Sequence, residues 1–213
     1  MADFAARPEI GKKPFCDWDK EKKGRVYNRL AGIINRNKRM GCGIVVPKDT
    51  FDKLVPPLPE RLRQTFGVRH YPFAVKVVLG MIGDWRLGSG VTLPVKYFFD
   101  RMGKGKGEII SFWDDIDSFQ WKEDIFGMEE DGYSFENKAK FLPLQAADIL
   151  AWQMNWHMQN VVYKGKRDIE DSHPNFRLLR CDQEMKLGFL TEDNFINTIE
   201  MKRKILEQHP VPR

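Results

Sequence analysis

The chain has 213 residues, of which 42% are hydrophobic and 31% are charged, a composition that excludes disordered and collagen-like proteins. Thirty-five Lys and Arg against 30 Asp and Glu give a net charge of +5, which permits a polyanionic partner such as nucleic acid without requiring one. Three separated cysteines without a CxxC pair indicate reduced thiols, and every apolar run is too short to span a membrane. We therefore expect a cytoplasmic protein without a membrane segment, and the sequence does not predict its oligomeric state.

The sequence pattern predicts helices separated by short strands. The expected helices lie at 17–39, 60–66, 72–87, 108–120, 143–159 and 191–208. The first of them places its Lys and Arg residues on a solvated face. Two apolar runs, 41–47 and 95–100, predict strands, and the second is apolar enough to be covered on both faces. The acidic segment 121–137 is predicted as a mobile loop or hairpin. No repeat or linker divides the chain, so we expect one α/β domain over 1–213.

Asp100 ends the second predicted strand and precedes a basic, glycine-rich loop that contains Lys104 and Lys106. In open α/β sheets ligands gather outside the carboxyl ends of the strands. Taken alone, however, Asp100 is better explained as a turn-forming residue at the end of a strand. The two lysines similarly fit either a phosphate contact or a solvated basic turn.

Asp148 is the only acidic residue between Glu136 and Asp168, in a segment that is otherwise largely apolar and predicts a buried helix. At 100° per residue, Gln145, Asp148 and Asn155 fall on one sector of that helix. A buried carboxylate needs a metal, a cation or a hydrogen-bond network. Pairing with an arginine or capping of a neighbouring loop explains Asp148 equally well.

Together the two acids suggest a metal site, with Asp100 and Asp148 as ligands of Mg²⁺ or Mn²⁺ and with Gln145 and Asn155 supporting the ligands. Such sites commonly act on phosphodiesters by stabilising the attacking and leaving oxygens. Lys104 and Lys106 would then contact phosphates. The pattern GKGKGE does not satisfy the GxxxxGK[ST] motif, so the sequence does not predict an NTPase.

Three stretches carry a resemblance to a known family: LPLQAADILAW at 142–152, the strand YFFD that ends in Asp100, and the opening MADF followed by PFCDWDKEKKGRVYNRLAGII. They resemble the bacterial domain-of-unknown-function 3800 family over most of the chain. The resemblance implies a ribonuclease H-like fold, with a mixed central sheet flanked by helices and a carboxylate metal site. Asp148, Gln145 and Asp100 match the family's residues, and Asp3 matches a segment that normally follows the first strands. This resemblance adds Asp3 to the residues expected to support the metal ligands.

The chain departs from this family at its beginning, because the Asp-Glu-Ser-Gly motif of the family's first strand is absent from the sequence. The resemblance thus implies an N-terminally incomplete member of the family, either truncated or degenerate, that lacks one metal ligand. Two functions are expected. One is a Mg²⁺- or Mn²⁺-dependent nuclease-like activity on nucleic acid. The alternative is a catalytically inactive domain of mobile-element origin that binds nucleic acid or protein.

Overall fold

The computed structural model describes residues 17–101, 105–117, 121–160, 164–165, 174–180 and 184–208. Their contacts group into two compact units. Unit 1 takes its described residues from 1–43 and 136–187, and unit 2 takes them from 44–135 and 188–213. The sequence, which contains no linker or repeat, predicts a single domain over 1–213.

The described ranges contain nine helices and four strands. The helices are α1 (Lys20–Asn37), α2 (Lys48–Leu54), α3 (Glu60–Phe66), α4 (His70–Ser89), α5 (Lys106–Asp117), α6 (Trp121–Asp124), α7 (Leu142–Asn160), α8 (Pro174–Arg180) and α9 (Glu192–Gln208). The strands are β1 (Gly41–Val45), β2 (Val95–Asp100), β3 (Met128–Glu136) and β4 (Met185–Phe189). They form two parallel pairs, β1 with β4 and β2 with β3, rather than one central sheet. No helix in the described ranges has both the length and the apolar character that crossing a bilayer requires.

Unit 1 is built on the packing of α1 against α8 and of α8 against α7. The side chains buried between these helices are Tyr27, Ala31, Ile149 and Leu179. Asp19 begins α1 by accepting a hydrogen bond from the backbone N–H of Lys22 at 2.6 Å, which satisfies one of the free amides of the first turn. The apolar face of α1 therefore belongs to the core of unit 1.

Unit 2 contains two apolar clusters. One lies under the β2–β3 pair and joins α4 and α5 to it; its members are Leu79, Tyr97, Phe99, Ile109, Trp113, Phe126 and Met128. The other joins α2, α3, α4 and α9, where Phe73 stacks on Phe195 with ring centroids 5.4 Å apart. Aromatic side chains of this size bury much apolar area and fix the packing of the elements that carry them.

The β2–β3 pair is a β-α-β unit, with α5 and α6 in the connection. The N–H of Val95 donates to the carbonyl of Gly127 at 2.8 Å, immediately before β3. At the other end, the ring of Phe99 lies 5.4 Å from that of Phe135. Both strands thus run in the same direction, and their carboxyl ends lie at one edge.

Three expectations from the sequence differ from this structure. The expected loop at 121–137 contains α6 and β3, whose Tyr133 and Phe135 pack against the apolar cluster of the sheet. Strand β2 is not covered on both faces, because Lys96 is exposed while Tyr97 and Phe99 are buried. Helix α7 is buried on one side only, since 44% of Trp152 is exposed. In each case the amino-acid composition led to the wrong expectation, because composition does not show which face of a helix or strand packs against another element.

Candidate functional site

The carboxyl edge of the β2–β3 pair brings together two of the residues predicted from the sequence. Asp100 ends β2 and is half-buried. Lys106 begins α5, and its Nζ lies 4.8 Å from the centroid of the Phe135 ring near the end of β3. Lys106 forms no ion pair with any residue that the structure describes. We call these residues, together with Tyr71, the β2–β3 edge.

Tyr71 lies in the first turn of α4 and is 40% exposed. Partial burial raises the pKa of Tyr71, and the negative charge of Asp100 raises that pKa further. The phenol is therefore a protonated hydrogen-bond donor at neutral pH beside a carboxylate. Tyr71 could not be predicted from the sequence, because no spacing along the chain links it to Asp100, which lies 29 positions later.

Glu108, in the first turn of α5, fastens the beginning of α4 to α5. Its carboxylate pairs with the guanidinium of Arg69 and accepts a hydrogen bond from the N–H of Val68 at 3.2 Å. Only 20% of the Glu108 side chain is exposed. Gly67 permits this approach, because its φ is +78° and a Cβ there would lie 3.0 Å from Glu108 Oε2. These contacts hold the segment that leads into Tyr71.

Asp148 lies in unit 1 and has a cationic neighbour. Lys138 Nζ is 3.6 Å from Asp148 Oδ1, and 34% of the Asp148 side chain is exposed. The Nε2 of Gln145 donates to the carbonyl of Ala139 at 3.3 Å, and Asn155 is exposed. The sector predicted to place a carboxylate in a buried environment is therefore partly solvated. Asp148 is paired with a cation, but that cation is Lys138 and not the arginine expected from the sequence.

Asp3 and Lys104, the two other predicted site residues, lie outside the described residues. Within the described part of the chain, no three or more His, Cys, Asp or Glu side chains form a group that could hold a metal ion. Asp100 nevertheless fits one place in a Mg²⁺ or Mn²⁺ site, because these ions take carboxylate oxygens and often complete their coordination with waters and substrate phosphates.

The side chains of the β2–β3 edge differ in what they can do chemically. Asp100 supplies an anionic oxygen, Lys106 an exposed cation and Tyr71 a neutral donor. A phosphate group needs cationic and neutral donors, and a divalent cation needs anionic oxygens. The edge thus offers one anionic oxygen, one cation and one neutral donor.

Comparisons of the chain with protein-family models, with curated proteins and with solved structures gave no match.

Proposed function

We propose that the protein acts on nucleic acid phosphodiesters as a divalent-metal-dependent, nuclease-type domain, with the β2–β3 edge as its reactive site. The observation that carries this proposal is the position of Asp100 and Lys106 at the carboxyl edge of two parallel strands. The sequence resemblance to the domain-of-unknown-function 3800 family and its ribonuclease H-like fold supports the same assignment.

In this proposal Asp100 is the metal ligand and Lys106 contacts the phosphate. A Mg²⁺ or Mn²⁺ ion, when bound, supplies positive charge that stabilises the attacking and leaving oxygens. Lys106 is suited to its role because its Nζ lies over the Phe135 ring at the end of β3 and has no carboxylate partner among the described residues. In this proposal the phenol of Tyr71, which remains protonated, donates a hydrogen bond to the phosphate. Asp148 and Gln145, which the sequence also assigned to a metal site, belong to unit 1, where Asp148 pairs with Lys138, so this proposal rests on the β2–β3 edge of unit 2 alone.

A cleavage assay tests the assignment of Asp100. Wild-type protein is incubated with labelled single-stranded and double-stranded DNA and RNA in Mn²⁺, beside Asp100→Asn, Asp148→Asn and the control Asp84→Asn. Asp84 is an exposed acid on α4, so its variant matches the change in charge. We expect Asp100→Asn to lower the cleavage rate by at least about 100-fold. Removing a residue that only supports a metal ligand already lowers activity by about 10- to 100-fold, and removing the ligand itself should cost more. Equal rates for Asp100→Asn and Asp84→Asn would reject the site.

Lys106 is tested by the dependence of the rate on substrate concentration. Lys106→Gln should raise KM several-fold, because a cation that contacts the phosphate in both ground and transition states contributes mainly to binding. Lys202→Gln on α9 is the matched control, since Lys202 is also exposed and carries the same charge. A wild-type KM for both variants would show that Lys106 does not contact the phosphate of the substrate.

A second function, a nucleic-acid- or protein-binding domain without catalysis, is favoured by the absence from the sequence of the Asp-Glu-Ser-Gly motif, which in the family that the chain resembles supplies a metal ligand. Salt-dependent binding of nucleic acid by the wild-type protein without Mn²⁺-dependent turnover would support this second function. Metal-dependent turnover that is lost in Asp100→Asn would reject it.

A further inference from the structure

The positive charge of the chain is concentrated in and just after α1. Residues 20–39 include eight Lys or Arg and one Glu, a net charge of +7, whereas the whole chain has a net charge of +5. The rest of the chain therefore carries two more acidic than basic residues. A cluster of this kind on a single helix is an electrostatic feature of that helix rather than of the overall composition.

Four of these basic residues lie in one line. At 100° per residue Lys22, Arg25, Arg29 and Arg36 fall within a sector of about 60°, and they extend over about 21 Å of the helix axis. All four are exposed. The opposite side of α1 carries Tyr27, which is 7% exposed in the core of unit 1. We call the four residues the basic stripe.

The basic stripe is only partly neutralised by the protein. Arg25 pairs with Glu21, the single acid of α1, and the side chains of this pair are 63% and 80% exposed. Arg29 and Arg36 form no ion pair with the residues that the structure describes. Like charges four residues apart, such as Arg25 and Arg29, repel each other and disfavour a helix. A face kept only for solvation would more commonly mix both signs.

A membrane surface is a poor partner for this helix. Helices that bind membranes insert their apolar face among the lipids. Most of the apolar face of α1 is already covered, because Tyr27 and Ala31 are buried in unit 1, and Ile33 is the single large apolar side chain of this helix that is exposed. A nucleic acid backbone instead offers a row of phosphates to a row of cations and needs no apolar contact.

We propose that the basic stripe of α1 binds the phosphate backbone of nucleic acid. The choice of nucleic acid as the ligand rests on the proposed function. The residues of the basic stripe lie in unit 1, and none of them belongs to the β2–β3 edge. The stripe supplies affinity that is independent of base sequence and falls with salt.

Binding of a fluorescein-labelled 20-base-pair DNA duplex in EDTA, followed by anisotropy between 50 and 200 mM KCl, tests the stripe separately from catalysis. The variants are Arg29→Gln and Arg36→Gln. The controls are Lys202→Gln and Arg203→Gln, which remove the same charge from exposed positions on α9. Circular dichroism and thermal unfolding verify that each variant is folded.

Each stripe variant should reduce the slope of log K against log salt by about one, because one fewer counterion is released. At 0.1 M salt this corresponds to about eightfold weaker binding. The control variants should keep the wild-type slope. Equal losses in stripe and control variants would overturn the inference, as would undetectable binding by the wild-type protein. Tighter binding to polyglutamate or to vesicles of anionic lipid than to the duplex would also overturn it and assign the stripe to that partner.

The same variants separate this inference from the proposed function when cleavage is measured in Mn²⁺. Binding in EDTA that depends on the stripe, without any Mn²⁺-dependent cleavage, supports the stripe and rejects the catalytic proposal. Cleavage that requires Asp100, with wild-type binding by Arg29→Gln and Arg36→Gln, supports the catalytic proposal and rejects the stripe.

Discussion

Arg86, on α4, lies with its guanidinium group directly against the backbone of Gly127, the residue before β3. Its side chain is buried, and its Nη1 donates to the carbonyl of Leu93 at 2.6 Å. Because Gly127 has a φ of +63°, a side chain at this position would be strained and would also overlap the guanidinium. Arg86 thus connects α4 to the chain on the amino-terminal side of both β2 and β3.

The variant Gly127→Ala should therefore lower the free energy of unfolding in urea by about 3 kcal/mol. This value is the sum of the cost of a positive φ and the cost of steric overlap with the guanidinium. Gly90→Ala is the control, because Gly90 has a φ of +66° and open space around it. Its cost should be about 1 kcal/mol. In an Arg86→Ala background the excess cost at Gly127 should disappear. An excess that persists in that background would show that Arg86 is not its cause.

Cys42, in β1, has a thiol whose ionisation depends on folding. Burial raises the pKa of Cys42 to about 11, although the positive charge of Lys186 opposes the increase. An unfolded thiol has a pKa of about 8.5, so folding favours the protonated form. The stability that this thiol contributes is complete below about pH 8.5 and is lost as the pH rises towards 11.

Peptide-resolved alkylation of the native protein with iodoacetamide measures this shift. The rate of Cys42 modification should reach half of its maximum near pH 11, and near pH 8.5 in urea-unfolded protein. The free energy of unfolding should fall more steeply over this pH interval in the wild-type protein than in Cys42→Ala. Coincident native and unfolded alkylation profiles would contradict the expected effect of burial.

At the scale of elements, Glu108 holds the N-terminal part of α4 against α5. Glu108→Gln removes the charge that Arg69 and the N–H of Val68 share, so we expect a loss of about 1–2 kcal/mol of unfolding free energy. The amide of Val68 should exchange its hydrogen faster by NMR. Glu60→Gln is the control, because the Glu60–Arg63 pair on α3 lies on a solvated surface and such pairs contribute little. Unchanged exchange at Val68 would show that backbone packing alone holds the segment.

The elements that the sequence predicts well are those that combine a clear pattern with clear boundaries. Strand β2 is observed over the predicted residues 95–100, and α3 over 60–66, because proline or glycine flanks each run. Strand β3 was missed because its sequence MEEDGYSFE is acidic, whereas Tyr133 and Phe135 contribute to the core. Its pairing with β2 depends on contacts between residues about 30 positions apart, which local composition does not encode.

The same distinction applies to the site. The strand-end rule makes Asp100 a candidate and the basic loop after it makes Lys106 a candidate, while a turn residue and a solvated loop explain the same pattern. Tyr71 joins them only through tertiary contacts, and it is also through tertiary contacts that Glu108 holds the segment before Tyr71. The exposure of α7 at Trp152 and the pairing of Asp148 with Lys138 likewise depend on which neighbours the helix meets. An apolar composition therefore identified the helix but not its buried face.

At the scale of the whole molecule, each compact unit has its own buried apolar cluster. Leu179 is 2% exposed in unit 1, and Phe195 is fully buried in unit 2. A cluster of this kind is what allows part of a chain to remain folded while another part opens. We therefore expect local stability to follow the two units rather than the order of the chain.

Hydrogen exchange measured by mass spectrometry on two cavity-forming variants tests this expectation. Leu179→Ala and Phe195→Ala should each remove about 2–5 kcal/mol from the cluster that contains the substitution. Leu179→Ala should accelerate exchange in α1 and α7 while α3 and α9 keep wild-type protection, and Phe195→Ala should give the reverse pattern. Because α1 and α7 are far apart in sequence, their joint loss of protection would follow from shared packing and not from chain proximity. Uniform acceleration of all peptides by either variant would mean that the two clusters open in a single cooperative step.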